Sequence, residues 1–144
     1  MRRPIDRDRF LARQRILVLV ILVIHLLFFA LNLFGVLLMM GYGWERQASL
    51  GVSAIPYLVL GVTSVIAFVL FILALVYFLK RVRKSLTLAA VAGLGGYFVS
   101  LALALTTDLG TKSIGSQLLI FFLFMVPMIA IYLYRSAERR AALD

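Results

Sequence analysis

Four long apolar tracts separated by short polar breaks make up most of the chain. The first runs uncharged from residue 16 to residue 44, and three more cover 55–79, 86–106 and 114–134. None has a polar face at helical spacing. A stretch that is hydrophobic all round is a membrane span or the centre of a large core, and a chain of 144 residues has no core that large. Each tract reaches the roughly 20 residues that cross a bilayer, and a span over 16–40 gives about 37 Å of helix, enough to cross with some tilt. The pattern predicts an all-α fold, a polytopic integral membrane protein built as an antiparallel four-transmembrane-helix bundle. Its parts are a basic arm (1–15), a membrane domain (16–134) and a tail (135–144).

The breaks carry their own signals. Gly41-Tyr42-Gly43-Trp44 is expected to end the first span, with Tyr42 and Trp44 as interfacial anchors. Residues 41–54 would then be a loop whose Glu45 and Arg46 sit on one amphipathic turn. Asp6 is expected to cap a short helix opening near Arg7. Pro56 suits the first turn of a helix, where its missing N–H costs nothing. The run Thr107-Asp108-Leu109-Gly110-Thr111-Lys112 reads as a tight turn that makes the last two spans antiparallel neighbours. Pro127 lies inside the fourth span, where it removes a hydrogen bond and crowds the carbonyl of Leu123, so a kink is expected.

Charge orients the bundle. The net charge is +9 with fifteen basic residues, which would ordinarily suggest a nucleic-acid partner. Thirteen of the fifteen, however, lie in the first arm (Arg2, Arg3, Arg7, Arg9, Arg13, Arg15), the knot Lys80-Arg81-Val82-Arg83-Lys84, and the tail (Arg135, Arg139, Arg140). Only Arg46 and Lys112 occupy the alternate loops. This bias places both termini and the knot in the cytoplasm, and the membrane would be a bacterial cytoplasmic (plasma) membrane. Arg13, Arg15, Lys80, Arg81, Arg83 and Lys84 are then candidates for contact with lipid phosphates, and the expected partner is a bilayer with anionic head groups, with no nucleic acid. The first tract also exceeds the apolar core of a cleavable leader, so a retained span is expected.

Candidate chemistry is sparse. All six acids, Asp6, Asp8, Glu45, Asp108, Glu138 and Asp144, fall outside the spans. Proton-coupled carriers need a group that changes charge near the midplane, and the one histidine, His25, is all that remains. By rise per residue it lies about 13 Å into the first span, level with Ser64 on the second and Tyr97 and Ser100 on the third. Asn32, one heptad on, shares its face but lies higher, nearer Thr106 and Gln117. His25, Asn32, Ser64, Tyr97 and Ser100 form the candidate midplane cluster, either a ligand or proton path or a set of interhelical hydrogen bonds that hold register. With no cysteine and one histidine, neither a haem pair nor a zinc site can form within the chain, and no metal or cofactor is expected. Gly93-Leu94-Gly95-Gly96 lacks the strand that a dinucleotide fingerprint requires, so an enzyme is not expected either.

Span three differs from the rest. Ala92, Gly96, Ser100 and Ala104 recur every fourth residue and form a stripe of small side chains that lets another helix approach closely. The stripe serves packing or lines a substrate path. Together these features suggest a non-enzymatic accessory or scaffold subunit, or an assembly factor, binding other membrane proteins or itself through the stripe. The alternative is a small oligomeric transporter or channel that uses the midplane polar groups.

Overall fold

A computed structural model of the chain describes residues 4–50, 54–106 and 114–143. Among these the chain forms four helices, α1 (Pro4–Leu50), α2 (Ile55–Leu79), α3 (Lys84–Thr106) and α4 (Ile114–Leu143), and no strand. All four are long and apolar enough to cross a membrane. The fold is the all-α four-helix membrane bundle that the apolar tracts predict. Neighbours in sequence pack against each other and α4 closes back on α1, so the helices run up-down-up-down around a square. The Asp6 side chain and the turn from Thr107 to Lys112 fall outside the described part of the chain.

The first helix departs from expectation. Its 47 residues run without interruption from the basic arm through Gly41-Tyr42-Gly43-Trp44 to Leu50, about 70 Å of helix where about 37 Å was expected. The loop expected over 41–54 is therefore helix as far as Leu50, and the arm is helical from Pro4. A glycine inside a helix costs roughly 0.5–1 kcal/mol relative to alanine, but Gly43 recovers this through packing. A Cβ there would lie 2.5 Å from Cγ of Tyr57, so the Tyr57 ring rests directly on the α1 backbone. Tertiary contact overrides the local breaker signal.

Buried positions follow a three–four spacing. On α1 they include Val18, Leu22, His25 and Phe29; on α3 they include Ser85, Ala89, Ala92, Gly93 and Gly96. That is the spacing of helices packing at shallow angles, as in a coiled coil. Two layers result. At the end carrying the termini, Val18, Leu22, Phe78, Ala89, Ile131 and Tyr134 pack together. In the middle, Phe29, Phe71, Phe124 and Met125 fill the space over Ala67 and Ala92. Large side chains from α1, α2 and α4 thus meet small ones on α3 in both layers. Outward faces are apolar as well, with Leu31 and Leu105 about three-quarters exposed (74% and 77%), as lipid contact requires.

The basic knot is a defined turn. Val82 N–H donates to the Tyr77 carbonyl at 2.8 Å and Arg81 N–H to the Phe78 carbonyl at 3.1 Å. Arg81 has φ 59°. These are the two bonds and the left-handed residue of a Schellman cap, a place usually held by glycine. Pro127 is fully buried inside α4, which stays helical on both sides of it.

Candidate functional site

The polar residues of the bundle fall into three groups. In the half away from the termini, Asn32 of α1, Thr63 and Ser64 of α2, and Ser100 of α3 line one cleft of about 220 Å³. Its walls include Ala67, Gly96, Ile120 and Phe124, so all four helices contribute. Three members of the midplane cluster, Asn32, Ser64 and Ser100, are brought together here. His25 and Tyr97 do not line this cleft.

The regrouping follows from register. Gly43 of α1 faces Tyr57 of α2, and Ser64, seven residues along α2, is level with a residue seven back along α1. That residue is Val36, which indeed lines the same cleft. The depth count placed Ser64 beside His25 because it began both spans at the ends of their uncharged tracts, whereas α1 overruns its tract at both ends. His25 lies seven residues below Asn32, about 10 Å away along the axis.

His25 sits instead among aromatic rings. It meets Phe71 edge-on with centroids 5.1 Å apart and stacks on Phe29 at 6.1 Å with planes 29° apart. Phe29 in turn meets Phe71 and Phe124 edge-on, at 5.3 and 5.5 Å. The His25 ring is buried, and its Nε2 has no hydrogen-bond partner among the described residues. Tyr97 packs away from it, edge-on to Phe121 of α4 at 5.1 Å. No ring contact joins His25 to Tyr97 among the described residues, and His25 occupies an aromatic slot through its ring.

The small-residue stripe is used inside the chain. Ala92 and Ala104 are buried, as is Gly96, and Ser100 is half-buried over the cleft. A Cβ on Gly96 would lie 2.5 Å from Cε1 of Phe124, and one on the adjacent Gly93 would lie 2.5 Å from the Phe124 carbonyl oxygen. Packing within the chain is thus one use of the stripe, which seats α4 against α3. Among the described residues, Gly35, Gly41 and Gly95 are open, with nothing within 4 Å of an added Cβ.

At the terminal end, two arginines tie the turn to its neighbours. Arg15 donates from Nη2 to the Leu79 carbonyl at 2.9 Å, one of the last carbonyls of α2, which have no partner within the helix. Arg135 donates from Nη2 to the Val82 carbonyl at 3.1 Å and from Nη1 to Oε2 of Glu138 at 3.0 Å. Of the candidates for lipid-phosphate contact, Arg13, Lys80, Arg81, Arg83 and Lys84 are exposed. Arg15 is half-buried and partly committed to the turn. The clamp by Arg135 was missed in the sequence, although Arg135 and Glu138 stand at a spacing that lets two side chains meet on one helix face. Compared with known proteins, the chain matches no family model, no curated protein and no solved structure, so what it does has to be argued from these residues.

Proposed function

We propose that the protein is a non-enzymatic integral component of a bacterial cytoplasmic membrane, an accessory or scaffold subunit or assembly factor for other membrane proteins, with both termini and the basic knot in the cytoplasm. The observation that carries this reading is the aromatic layer. Phe29, Phe71, Phe124 and Met125 are buried together across the middle of the bundle, between the polar cleft and the basic end. A dry layer of this kind favours work done on the outer faces over passage through the middle.

The open glycines support the same reading. Gly43, Gly93 and Gly96 each hold a neighbouring residue of the chain against their backbone, while Gly35 and Gly41 of α1 face open space. Their cost in helix stability, about 0.5–1 kcal/mol each, is offset if another helix packs closely there, since small residues are what membrane helices use for close approach. A photo-reactive residue replacing Leu31 or Leu38 on the outward face of α1 should capture a second membrane protein, or another copy, in native membranes. Recovery of free monomer alone would overturn the proposal.

The cleft lined by Asn32, Ser64 and Ser100 favours a second reading, a small oligomeric transporter or channel. That reading requires Asn32→Leu, which takes a polar group out of the cleft, to abolish a flux in liposomes while the fold survives. If the substitution changes only the melting temperature, the cleft belongs to the packing.

A further inference from the structure

We propose that the basic end holds one phospholipid with a zwitterionic phosphoethanolamine head group, bound between α1, the α2–α3 turn and α4. A cavity of about 490 Å³ opens there, lined by Arg15 and Arg81 and by Asp8 and Glu138, and this falls within the usual range for small-molecule sites. Two cations and two carboxylates give a wall with no net charge inside a region that is otherwise strongly basic. An anionic head group would bring no cation to the two carboxylates, only neutral donors such as the hydroxyls of a glycerol. Phosphoethanolamine presents both signs, a phosphate for the guanidiniums and an ammonium whose N–H groups can donate to the carboxylates.

The groups retain the capacity this requires. Arg15 spends one donor on the Leu79 carbonyl and a guanidinium has five. Glu138 uses Oε2 for Arg135, which leaves Oε1. Asp8 and Arg81 are exposed. The cavity is also graded, because its remaining wall includes Leu11, Ile16 and Leu19 on successive turns of α1. These lead from the charged rim toward the apolar bundle, as the glycerol and first acyl carbons of a lipid require.

Arg81 supplies the independent argument. It occupies the left-handed residue of the cap, φ 59°, where glycine is favoured on backbone grounds. An arginine where the backbone prefers glycine points to a use for its side chain, and local rules are broken chiefly at functional sites.

The test uses the full chain, purified in detergent and offered equal amounts of phosphatidylethanolamine, phosphatidylglycerol and phosphatidylcholine of matched acyl chains, with retained lipid read by native mass spectrometry. The wild type should keep one phosphatidylethanolamine per chain about tenfold more tightly than either competitor, the scale of one charge-assisted hydrogen bond. Arg81→Gly suits the backbone and should keep the fold, yet lower that retention about tenfold. Asp8→Asn should narrow the preference for ethanolamine over choline, which has no N–H to donate, because Glu138 is then the one carboxylate left in the cavity wall. Equal or tighter retention of phosphatidylglycerol by the wild type overturns the proposal. So does unchanged retention of phosphatidylethanolamine in both variants.

Discussion

Replacing Gly93 by alanine tests whether the stripe on α3 is there to seat α4. The added methyl would stand 2.5 Å from the Phe124 carbonyl oxygen. A backbone oxygen cannot swing aside as a side chain can, so the helices must separate by up to about 0.9 Å to reach the 3.4 Å of ordinary contact. A gap of that size forfeits about a quarter to a half of each dispersion contact, and over the about 40–60 atom pairs of a buried side chain the loss is about 1–6 kcal/mol. The lower part of that range, about 1–3 kcal/mol, is what overpacked cores typically show once neighbours relax. Alanine returns about 0.5–1 kcal/mol through its better helix propensity, leaving a net loss of about 1–2 kcal/mol. Gly95, two residues away, meets nothing within 4 Å, and Gly95→Ala should be neutral or stabilising. Thermal unfolding in detergent, followed by the soluble fraction on size exclusion, should place Gly93→Ala about 2–8 °C below the wild type, with Gly95→Ala at or above it. A Gly93→Ala protein as stable as Gly95→Ala would refute the reasoning, because it would mean that α3 and α4 are not in backbone contact.

Substitutions at three further residues separate packing from chemistry. His25→Phe keeps an aromatic ring between Phe29 and Phe71 and removes a buried nitrogen that has no partner, so stability in detergent should hold or rise by up to about 1 kcal/mol; a large loss would mean that the imidazole makes a bond of its own. Arg135→Ala removes the donor to the Val82 carbonyl and strips Glu138 of its partner, and should cost about 1–3 kcal/mol in chemical unfolding. Arg135→Lys should recover less than half of that, because one ammonium cannot reproduce a fork that spans two acceptors. Arg81→Gly should raise the melting temperature, since it relieves a left-handed residue worth about 1 kcal/mol; a fall would show that the side chain itself holds the turn.

The parts of the fold that were legible are those set by composition. The bounds of α2 at Ile55 and Leu79 can be read directly, because Pro56 opens the apolar tract and the knot closes it. The overrun of α1 could not be read, since Gly41 and Gly43 are breakers by every local rule, and what keeps the helix going is the Tyr57 ring against Gly43, a contact between residues fourteen apart in sequence. The company of His25 was hidden for the same reason. A helix fixes which face His25 shares with Asn32, but the residue it meets on α2 depends on the sliding of two rods. One contact, Gly43 with Tyr57, fixes that sliding and moves Ser64 from His25 to Asn32.

The arginines at the terminal end show how one set of residues answers two physical demands. Charge bias needs only cations near the helix ends, and any lysine would serve it. The bundle asks more at two of these positions. A turn between membrane helices leaves the last carbonyls of the first helix without partners inside that helix. Arg15 meets the one at Leu79 and Arg135 the turn's own carbonyl at Val82, each reaching across from a different helix. The turn is thereby held from α1 on one side and α4 on the other, which fixes how the two hairpins dock. Cations that only orient the chain can be exchanged freely, whereas these two cannot, so arginine-to-lysine changes at Arg15 and Arg135 should weaken the bundle while leaving its orientation in the membrane unchanged.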